Sequence, residues 1–300
     1  MFFLSPKTTI VTHDGSFHTD DVFAVAALSI FLKGRMKIIR TRDPKKIAKA
    51  DYVVDVGNVH DSKINRFDHH QEGGGGQRAN GVSYAAFGLV WKHYGEKIGG
   101  TKKAAEIIEN RLVLPIDAHD NGEGKLAEML PGVFPYTINE IVDALNLTSG
   151  EIKSGKIADE VFLKVVGVAK ELLAREIKWV SARLEAESVL KQSFIEAKDK
   201  RIIVVEGSVP VEEYFSSYPE PLFIVYQYSD GDWAARAVRQ APRLFESRKL
   251  FPESWAGKRD KELAEITGVP DAVFCHNKRF MVIAKSKEGA LKLANLALEI

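Results

Sequence analysis

Residues 8–57 read "TTIVTHDGSFHTDDVFAVAALSIFLKGRMKIIRTRDPKKIAKADYVVDVG", and they alternate strand-like with helix-like segments. Three short β-branched or apolar runs predict buried strands, at Thr8–Thr12, Met36–Arg40 and Tyr52–Val56. Between the first two, Asp20–Leu32 is apolar on nearly every side and predicts a buried helix. Asp43 and Pro44 predict the start of a second helix. This alternation predicts an α/β fold with a doubly wound, mostly parallel sheet and helices on both faces.

The rest of the chain predicts a helical region followed by a smaller domain. A fourth strand is expected at Lys63–Phe67, and helices at Gly81–Tyr94 and Thr101–Leu112. Residues 157–197 contain no proline and one glycine, and their apolar residues at helical spacing predict one long helix or two. After Lys200, strand-like runs alternate with turn signals until a closing helix at Lys287–Leu298. We therefore expect one domain over residues 1–198 and an α+β domain over residues 199–300.

The composition excludes several classes of protein. Lys and Arg total 42 against 41 Asp and Glu, so no chain-wide charge favours nucleic acid or a membrane surface. Cys275 is the only cysteine, which excludes an intrachain disulfide and favours a reducing compartment. The start "MFFLSPK" has too short an apolar run for a secretory signal, and no apolar run approaches ~18 residues. We therefore expect a cytoplasmic protein without membrane spans.

Aspartate and histidine residues gather where the strands of the first domain are predicted to end. They form four groups: His13, His18 and Asp20; Asp55; Asp68, His69 and His70; and, between two helices, Asp117, His119 and Asp120. Sites in open parallel sheets form beyond the carboxyl ends of the strands, so we expect these groups to converge on one edge. Neighbours on an extended chain point to opposite sides, so Asp68 and His70 should share a side and His69 should take the other.

The residue types in these groups predict a metal site. Histidine and aspartate without cysteine suit Mn²⁺, Mg²⁺, Fe²⁺ or Zn²⁺, and the mixture of nitrogen and oxygen favours Mn²⁺. The donors exceed the needs of one ion, so we expect two ions ~3.5–4 Å apart that share one carboxylate. Such a pair polarises a phosphoryl oxygen and generates a hydroxide nucleophile near neutral pH. The predicted chemistry is therefore hydrolysis of a phosphate ester.

Seven short segments carry a resemblance to a known family. They are "THDGSFHTDD", "VVDVG", "RFDHHQ", "DAHDNG", "RAVR", "FPESW" and "SKEGAL", and they span Thr12 to Leu291. With them the chain resembles the DHH phosphoesterase superfamily, named for the tripeptide Asp68-His69-His70, and within it the melanocyte-proliferating-gene family. The resemblance implies metal-dependent hydrolysis of phosphodiester bonds, with 3′–5′ exonuclease action on single-stranded RNA or DNA. His18 stands where the superfamily usually has an aspartate.

The resemblance also implies which residues hold the metal ions. One ion would be held by His13, His18 and Asp55. The other would be held by Asp20, Asp55, His69 and Asp120, so that Asp55 bridges the two. The catalytic group implied in this way is Asp55, Asp68, His69 and His70.

Two of these assignments depend on neighbouring residues. The resemblance implies that Asp68 orients His69 and that His70 faces the phosphate. Asp117 competes with Asp120 for the last ligand position. Asp120 is favoured because the "DNG" that it begins matches the Asp-Thr-Gly pattern of the superfamily.

A second candidate region covers residues 236–261, which hold eight basic and three acidic residues. Together with His70, four arginines are expected to contact the substrate: Arg236, Arg239, Arg243 and Arg248. Three aromatic residues interleave with them: Phe245, Phe251 and Trp255. They would either stack on the bases of a single strand or pack inward, and the sequence leaves both options open. The second domain would supply the arginines across a cleft from the strand ends of the first.

We therefore predict a phosphodiesterase, an exonuclease of 3′–5′ polarity, that uses two divalent ions, Mn²⁺ first and Mg²⁺ or Zn²⁺ as alternatives. Its partner would be a single-stranded nucleic acid or a nucleotide, with no membrane, and a homodimer is left open. The first alternative is a phosphatase or pyrophosphatase acting on a small nucleotide. The second is a non-catalytic binding module stabilised by metal. A zinc amidohydrolase is disfavoured because no His-x-His follows the first strand.

Overall fold

The structure is a computed structural model that describes residues 8–34, 36–153, 157–207, 211, 214–228, 231–242 and 244–300. Contacts divide the chain into a first unit, Met1–Val180, and a second unit, Ser181–Ile300. The division falls inside one long helix, whereas the expected boundary between residues 198 and 199 lies beyond that helix and stays a prediction. Within the described ranges, no helix has the length and apolar character needed to cross a membrane.

The described part of the first unit contains a five-stranded sheet in which most neighbouring strands are parallel. Its strands are β1 (Thr8–Thr12), β2 (Met36–Arg40), β3 (Tyr52–Val54), β4 (His60–Asp61) and β5 (Arg66–Phe67). Their order is β2-β1-β3-β5-β4, and β4 is the strand that runs antiparallel to its neighbour. The predicted α/β class and mostly parallel sheet are confirmed, while the doubly wound arrangement stays a prediction. Because β1, β3 and β5 are parallel, they end at the same edge.

The third and fourth predicted strands are shorter than expected. β3 ends before Asp55, whose φ of 53° takes the chain out of the extended conformation. The predicted strand Lys63–Phe67 is wrong in extent, because a 3₁₀ turn over Ser62–Ile64 separates β4 from β5. The Asp61 carboxylate caps this turn, and Asn65 leaves it with a φ of 55°. The chain therefore reverses, and β4 pairs antiparallel with β5.

The helices of the first unit are α1 (Thr19–Leu32), α2 (Pro44–Lys49), α3 (Ala86–Gly99), α4 (Lys102–Ile108), α5 (Leu114–Asp120), α6 (Ile138–Ala144) and α7 (Ser149–Lys153). As predicted, α1 is buried, and its Phe23 packs on Phe87 of α3 with ring centroids 5.5 Å apart. The start of α2 is also confirmed, since Asp43 accepts the Lys45 N–H at 2.9 Å and Pro44 follows as the first helical residue. Of the two options for the long segment, one continuous helix is correct: α8 (Ala158–Glu196).

Two helix predictions are wrong in their limits. α3 begins at Ala86 rather than at Gly81, because Gly81 has a φ of 85° and belongs to a turn closed by its N–H and the Arg78 carbonyl. The helix predicted to end at Leu112 continues through a π-helical turn, Glu109–Val113, directly into α5. The acidic and histidine residues of "DAHDNG" therefore lie at the end of a helix and not between two helices.

The described part of the second unit is a sheet covered by helices, as the α+β prediction requires. Its strands are β6 (Ile202–Val205), β7 (Phe223–Gln227), β8 (Trp233–Ala237), β9 (Ala272–Cys275) and β10 (Met281–Ala284), in the order β6-β7-β8-β10-β9. Its helices after α8 are α9 (Asp260–Thr267) and α10 (Lys287–Glu299). β6 and β7 are parallel, and the other pairs are antiparallel. Leu293 and Ala294 of α10 are fully buried in the core formed with this sheet.

Candidate metal centre

The six predicted metal ligands come from separate elements of the first unit. The loops after three parallel strands supply half of them: His13, Asp55 and His69. The ends of two helices supply the other half: His18, Asp20 and Asp120. The shared edge of the sheet therefore accounts for the convergence of residues that are far apart in the sequence.

Asp55 lies between two histidines from different strands. Its Oδ2 is 3.2 Å from His13 Nε2, and its Oδ1 is 3.3 Å from His69 Nε2. The backbone holds this position, because the Asp55 N–H donates to the Phe67 carbonyl at 3.0 Å. A non-glycine residue with a φ of 53° is uncommon, and such conformations cluster at functional sites. One carboxylate thus presents one oxygen to each half of the cluster, as a bridging ligand would.

Within this cluster, three groups of side chains have ligand atoms within 4.8 Å of one another. The groups are His13, His18 and Asp55; Asp55, His69 and His70; and His18, Asp20 and Asp120. Two of the groups share Asp55, and two share His18. The arrangement brings together all six predicted ligands and adds His70.

Several buried ligand atoms of the cluster make no hydrogen bond to any described residue. They are His13 Nε2, Asp20 Oδ1, Asp55 Oδ1 and His69 Nε2. The two histidine nitrogens lie 3.1–3.3 Å from carboxylate oxygens of the cluster without the geometry of a hydrogen bond. Buried polar atoms nearly always make such a bond, so a converging set that does not calls for an explanation. Imidazole nitrogens and carboxylate oxygens are the donors that divalent ions of the Mn²⁺ and Zn²⁺ type prefer. The residues present therefore fit a metal centre.

The histidines of the cluster are strongly influenced by the surrounding carboxylates. Burial lowers the pKa of His13, but the adjacent Asp21 and Asp55 outweigh burial and raise that pKa to about 10. Burial likewise lowers the pKa of His69, and the neighbouring Asp120 and Asp55 raise it to about 10. In the metal-free protein, the protonated histidines therefore offset the negative charge of these carboxylates, which a bound metal ion would otherwise do.

The pKa values of two carboxylates in the cluster are shifted in opposite directions. Burial raises the pKa of Asp55, but the two flanking histidines outweigh burial and lower that pKa to about 2. Asp20 is completely buried, and burial followed by the charges of Asp55 and Asp120 raises its pKa well above the usual range. The carboxylates of the cluster thus repel one another, and bound dications would relieve this repulsion.

The prediction that Asp68 orients His69 is wrong. Asp68 Oδ1 accepts from Nδ1 of His70 at 2.8 Å, and its Oδ2 accepts the Asn58 N–H at 2.6 Å. The side chain beside His69 is Asn121, whose Oδ1 lies 3.3 Å from His69 Nδ1. Asp68 therefore orients His70, and Asn121 orients His69. The sequence signal for Asn121 was available, since it is the middle residue of "DNG".

Asp117 and Asp120 have separate environments on α5. Asp120 Oδ2 lies 3.2 Å from His69 Nε2. Asp117 is fully buried against Arg78, whose guanidinium donates to it at 2.6 Å. The geometry therefore favours Asp120 as the ligand. The sequence around Arg78 contains no pattern that would predict a buried ion pair.

Asp21 is a further buried carboxylate beside the cluster. Its Oδ1 accepts the His18 N–H at 3.0 Å, which caps the start of α1. Its Oδ2 lies 3.1 Å from His13 Nε2 and makes no hydrogen bond to a described residue. Asp21 therefore supports His13 while it begins α1.

In the second unit, Arg236 and Arg239 lie close to aromatic rings, and the Arg236 guanidinium is 5.6 Å from the ring centroid of Phe280. The Arg239 guanidinium is 5.4 Å from the ring centroid of Phe245, which is 85% exposed. Phe251 and Trp255 are buried and stack with ring centroids 6.1 Å apart. Inward packing is thus the correct interpretation for these two rings, and Phe245 is left as the exposed one.

The two remaining arginines cannot be placed as substrate contacts. The Arg248 guanidinium donates to the carbonyls of Ser216, Tyr218 and Pro221, so its donors are used within the second unit. The expectation that Arg248 contacts substrate therefore loses its physical basis. Arg243 lies outside the described residues.

Known proteins resemble the chain over nearly its whole length. Residues 9–298 match the family model MYG1_exonuc, described as Uncharacterised protein family (UPF0160). The chain is 30% identical to "MYG1 exonuclease" of Homo sapiens, over 96% of this chain and 85% of the human protein. It is 31% identical to "MYG1 protein" of Chlamydia trachomatis serovar D, over 97% of this chain and 96% of that protein. The predicted resemblance to this family is confirmed.

Proposed function

The chain belongs to the MYG1_exonuc family, and from that premise we propose that it is a metal-dependent phosphodiesterase. It would remove nucleotides from the 3′ end of single-stranded RNA or DNA. The exonuclease names of its mammalian relatives support the reaction class. The observation that carries the proposal is Asp55, whose two oxygens face His13 and His69 inside a buried set of unpaired ligand atoms. Asp68-His69-His70 agrees with membership of the DHH phosphoesterase superfamily.

The chain would hold two divalent ions with two ligand sets that share Asp55. One set is His13, His18 and Asp55, which coincides with one of the three groups above. The other is Asp20, Asp55, His69 and Asp120, whose carboxylate oxygens lie 4.0, 3.3 and 3.2 Å from His69 Nε2 in that order. When bound, ions of this kind polarise a phosphoryl oxygen and lower the pKa of water enough to give a nucleophile near neutral pH. Mn²⁺ suits the mixed donors best, with Mg²⁺ and Zn²⁺ as alternatives.

His70 would bind the phosphate of the substrate. Its side chain is half exposed, whereas the neighbouring His69 is nearly buried. The Asp68 carboxylate beside it raises the pKa of His70, which favours the protonated form of its imidazole. Because Nδ1 donates to Asp68, Nε2 is left to donate to a phosphate oxygen. Asp68 acts here as a positioning residue for His70.

The second unit would bind the strand that leads to the scissile bond. Arg236 and Arg239 are retained as contacts to the sugar–phosphate backbone, and the exposed ring of Phe245 would stack on a base. Arg248 is left out because its guanidinium is used by backbone carbonyls. These contacts carry no information about base identity.

The direct test is an assay of purified protein with Mn²⁺, Mg²⁺ or Zn²⁺ on four labelled substrates in parallel. These are single-stranded RNA, single-stranded DNA, dinucleotides and pyrophosphate, with chelated protein as the control. We expect mononucleotides released from 3′ ends, and no product after chelation. Hydrolysis of pyrophosphate alone would replace the proposal with a small-substrate phosphatase. Metal binding without hydrolysis of any substrate would leave only a binding module.

A further inference from the structure

A cavity of about 660 Å³ adjoins the candidate metal centre within the first unit. Asp55 and His70 form part of its lining, so the cavity opens onto the residues that would bind the scissile phosphate. Aliphatic side chains form another part: Ile47, Val53, Val59 and Ile64. Its volume falls in the range of small-molecule sites, roughly 300–1,000 Å³, which are mostly apolar with a few polar groups.

Two aliphatic residues that line the cavity are exposed to solvent although their side chains are apolar. Val59 is 45% exposed and Ile64 is 56% exposed. Both belong to the short segment between β3 and β5, in which Val59 precedes β4 and Ile64 ends the 3₁₀ turn. Beneath them, Val53 is buried in a small core with Val11, so the wall behind the cavity is firmly packed. Exposed apolar groups that share one concave site indicate a ligand with an apolar surface.

We propose that this cavity binds the base of the 3′-terminal nucleotide of the substrate. The inference rests on the proposed nuclease function, because the base is the apolar, flat part of a nucleic acid next to the scissile phosphate. A base lying against Ile64 and Val59 would place the adjoining phosphodiester beside Asp55 and His70. The cavity is thus a binding site for one terminal nucleoside.

The cavity should accept all four bases with similar affinity. The Arg66 guanidinium donates to the carbonyls of Ile64, Asn65 and Ala50, so it does not read a base edge. Arg42, which also lines the cavity, is paired with Asp14. Aliphatic walls recognise the face of a base and give no hydrogen-bond pattern by which bases differ. We expect cleavage rates to differ by less than about fivefold among the four terminal bases, since one correct bidentate contact would give more.

The experiment compares two oligonucleotides that differ only at the 3′ end, one with a normal nucleotide and one with an abasic residue. It is done on RNA and DNA backbones with Mn²⁺. For the unmodified protein we expect kcat/KM to be about tenfold higher for the end that carries a base, a value near the lower end of what one stacked base contributes in single-strand sites. Ala48→Trp fills the cavity from the exposed face of α2 and should reduce the ratio to about one. Ile64→Ala should lower it partially.

The matched control is Ala79→Trp, the same exchange at an exposed alanine that is not part of the cavity lining. It should leave the ratio at its original value. A second measurement, saturation-transfer NMR of adenosine with metal-free protein, tests the cavity without catalysis. Base-proton signals should appear with the unmodified protein and the control, and should disappear with Ala48→Trp.

The outcomes separate this inference from the function on which it rests. If the unmodified protein cleaves both ends equally, or if Ala48→Trp slows both equally, the base subsite is wrong while the nuclease function stands. If neither oligonucleotide is cleaved, the proposed function fails and the inference fails with it. A tenfold ratio that Ala48→Trp removes and Ala79→Trp preserves supports both.

Discussion

At Asp55, the backbone conformation and the side chain together place a carboxylate between two histidines. The positive φ ends β3 and turns the carboxylate toward His13 and His69, and the Asp55 N–H stays bonded to Phe67 of the neighbouring strand. A residue in this conformation costs free energy, which the surrounding sheet must offset. Aspartate and asparagine tolerate the conformation better than β-branched residues do. The position therefore permits an exchange that removes charge without a change of shape.

Asp55→Asn should keep the fold and lose at least one metal ion together with hydrolysis. The exchange removes the negative charge that would separate two dications. Since loss of a residue that merely supports a ligand costs about 10–100-fold, loss of a shared ligand should lower kcat/KM by at least ~100-fold. Metal content by mass spectrometry of the intact protein and turnover on a labelled oligonucleotide check this.

The control is Asp51→Asn, at a residue whose carboxylate accepts the Thr9 N–H in the same sheet. It should retain both ions and full turnover. Two ions and normal turnover in Asp55→Asn would refute the shared-ligand assignment.

The pKa shifts of the cluster predict how metal-free protein responds to pH. His13 and His69 have pKa values raised from 6.5 to about 10, so their stabilising contribution is complete below pH 6.5 and is lost as pH rises toward 10. The raised pKa of Asp20 acts in the same direction. The Tm of chelated protein should therefore fall between pH 6.5 and 9, and the gain in Tm on adding Mn²⁺ should grow over that window.

Thermal melts of chelated and Mn²⁺-loaded protein in matched buffers measure this difference. The free energy from metal binding should rise with pH because the ions replace protons. A Tm gain that is constant or shrinks from pH 6.5 to 9 would show that protons and metal do not compete for these side chains.

At the scale of elements, α5 depends on one contact with α3. The Gly88 N–H donates to Asp117 Oδ1 at 3.0 Å, and a Cβ on Gly88 would lie 1.7 Å from Asp117 Oδ2. Arg78 completes the contact from the loop before α3 by donating to Asp117 and Glu109 at 2.6 Å each. This polar contact fixes the last turn of α5. Through it, the helix presents Asp120 and Asn121 to the metal centre.

Gly88→Ala should destabilise the protein because the new methyl group has no space. Overpacking of a core typically costs about 1–3 kcal/mol, and the displacement of Asp117 should add to this and weaken metal binding. Urea unfolding measures the loss. Gly167→Ala is the matched exchange, since a Cβ there meets nothing within 4 Å inside α8.

Gly167→Ala should stabilise the helix by about 0.5–1 kcal/mol. If the two exchanges have equal effects, the close approach of α3 and α5 has no role in stability.

The elements also show what sequence patterns predict here and what they do not. β1 and β2 have the expected limits and α2 begins at the expected residue, because β-branched runs and an Asp-Pro start are local signals. The break between β4 and β5 depends on the side-chain cap at Asp61, and the continuous path from α4 to α5 depends on packing around Asp117. The convergence of the Asp and His groups follows from strand ends, and the alternation of an extended chain places Asp68 and His70 on one side, in agreement with their 2.8 Å contact. The contact of Asn121 with His69 depends instead on the packing of α5.

At the scale of the whole molecule, the two units divide the proposed work. The first contains the candidate metal centre and the cavity, and the second contains the basic residues that would hold the strand. The near-neutral charge of the chain means that any attraction for nucleic acid must be local. Arg239 is the clearest test of that division, because its guanidinium lies over the exposed Phe245 ring.

Arg239→Ala should raise the apparent KM for an oligonucleotide and leave metal content and kcat unchanged, as expected when a uniform binding contact is removed. Loss of one phosphate contact should also reduce the slope of log affinity against log salt by ~0.7 for a single strand. Steady-state kinetics and binding at several salt concentrations provide both values.

The matched control is Arg201→Ala, at an exposed arginine of the second unit that is paired with Asp199. It should change neither KM nor the salt slope. Equal effects of the two exchanges would assign the binding to general charge rather than to Arg239.

The buried carboxylates Asp20, Asp21 and Asp55 also have a consequence for the life of the protein in a cell. On the proposed metal binding, ions that bind only the folded chain shift the folding equilibrium by mass action. Chains made during metal shortage would unfold more often and be degraded sooner, and even 1–2 kcal/mol can change abundance about several-fold. The steady-state amount of this protein should therefore follow the supply of its metal, so that the amount of protein at constant transcript level would report how much metal is available to it.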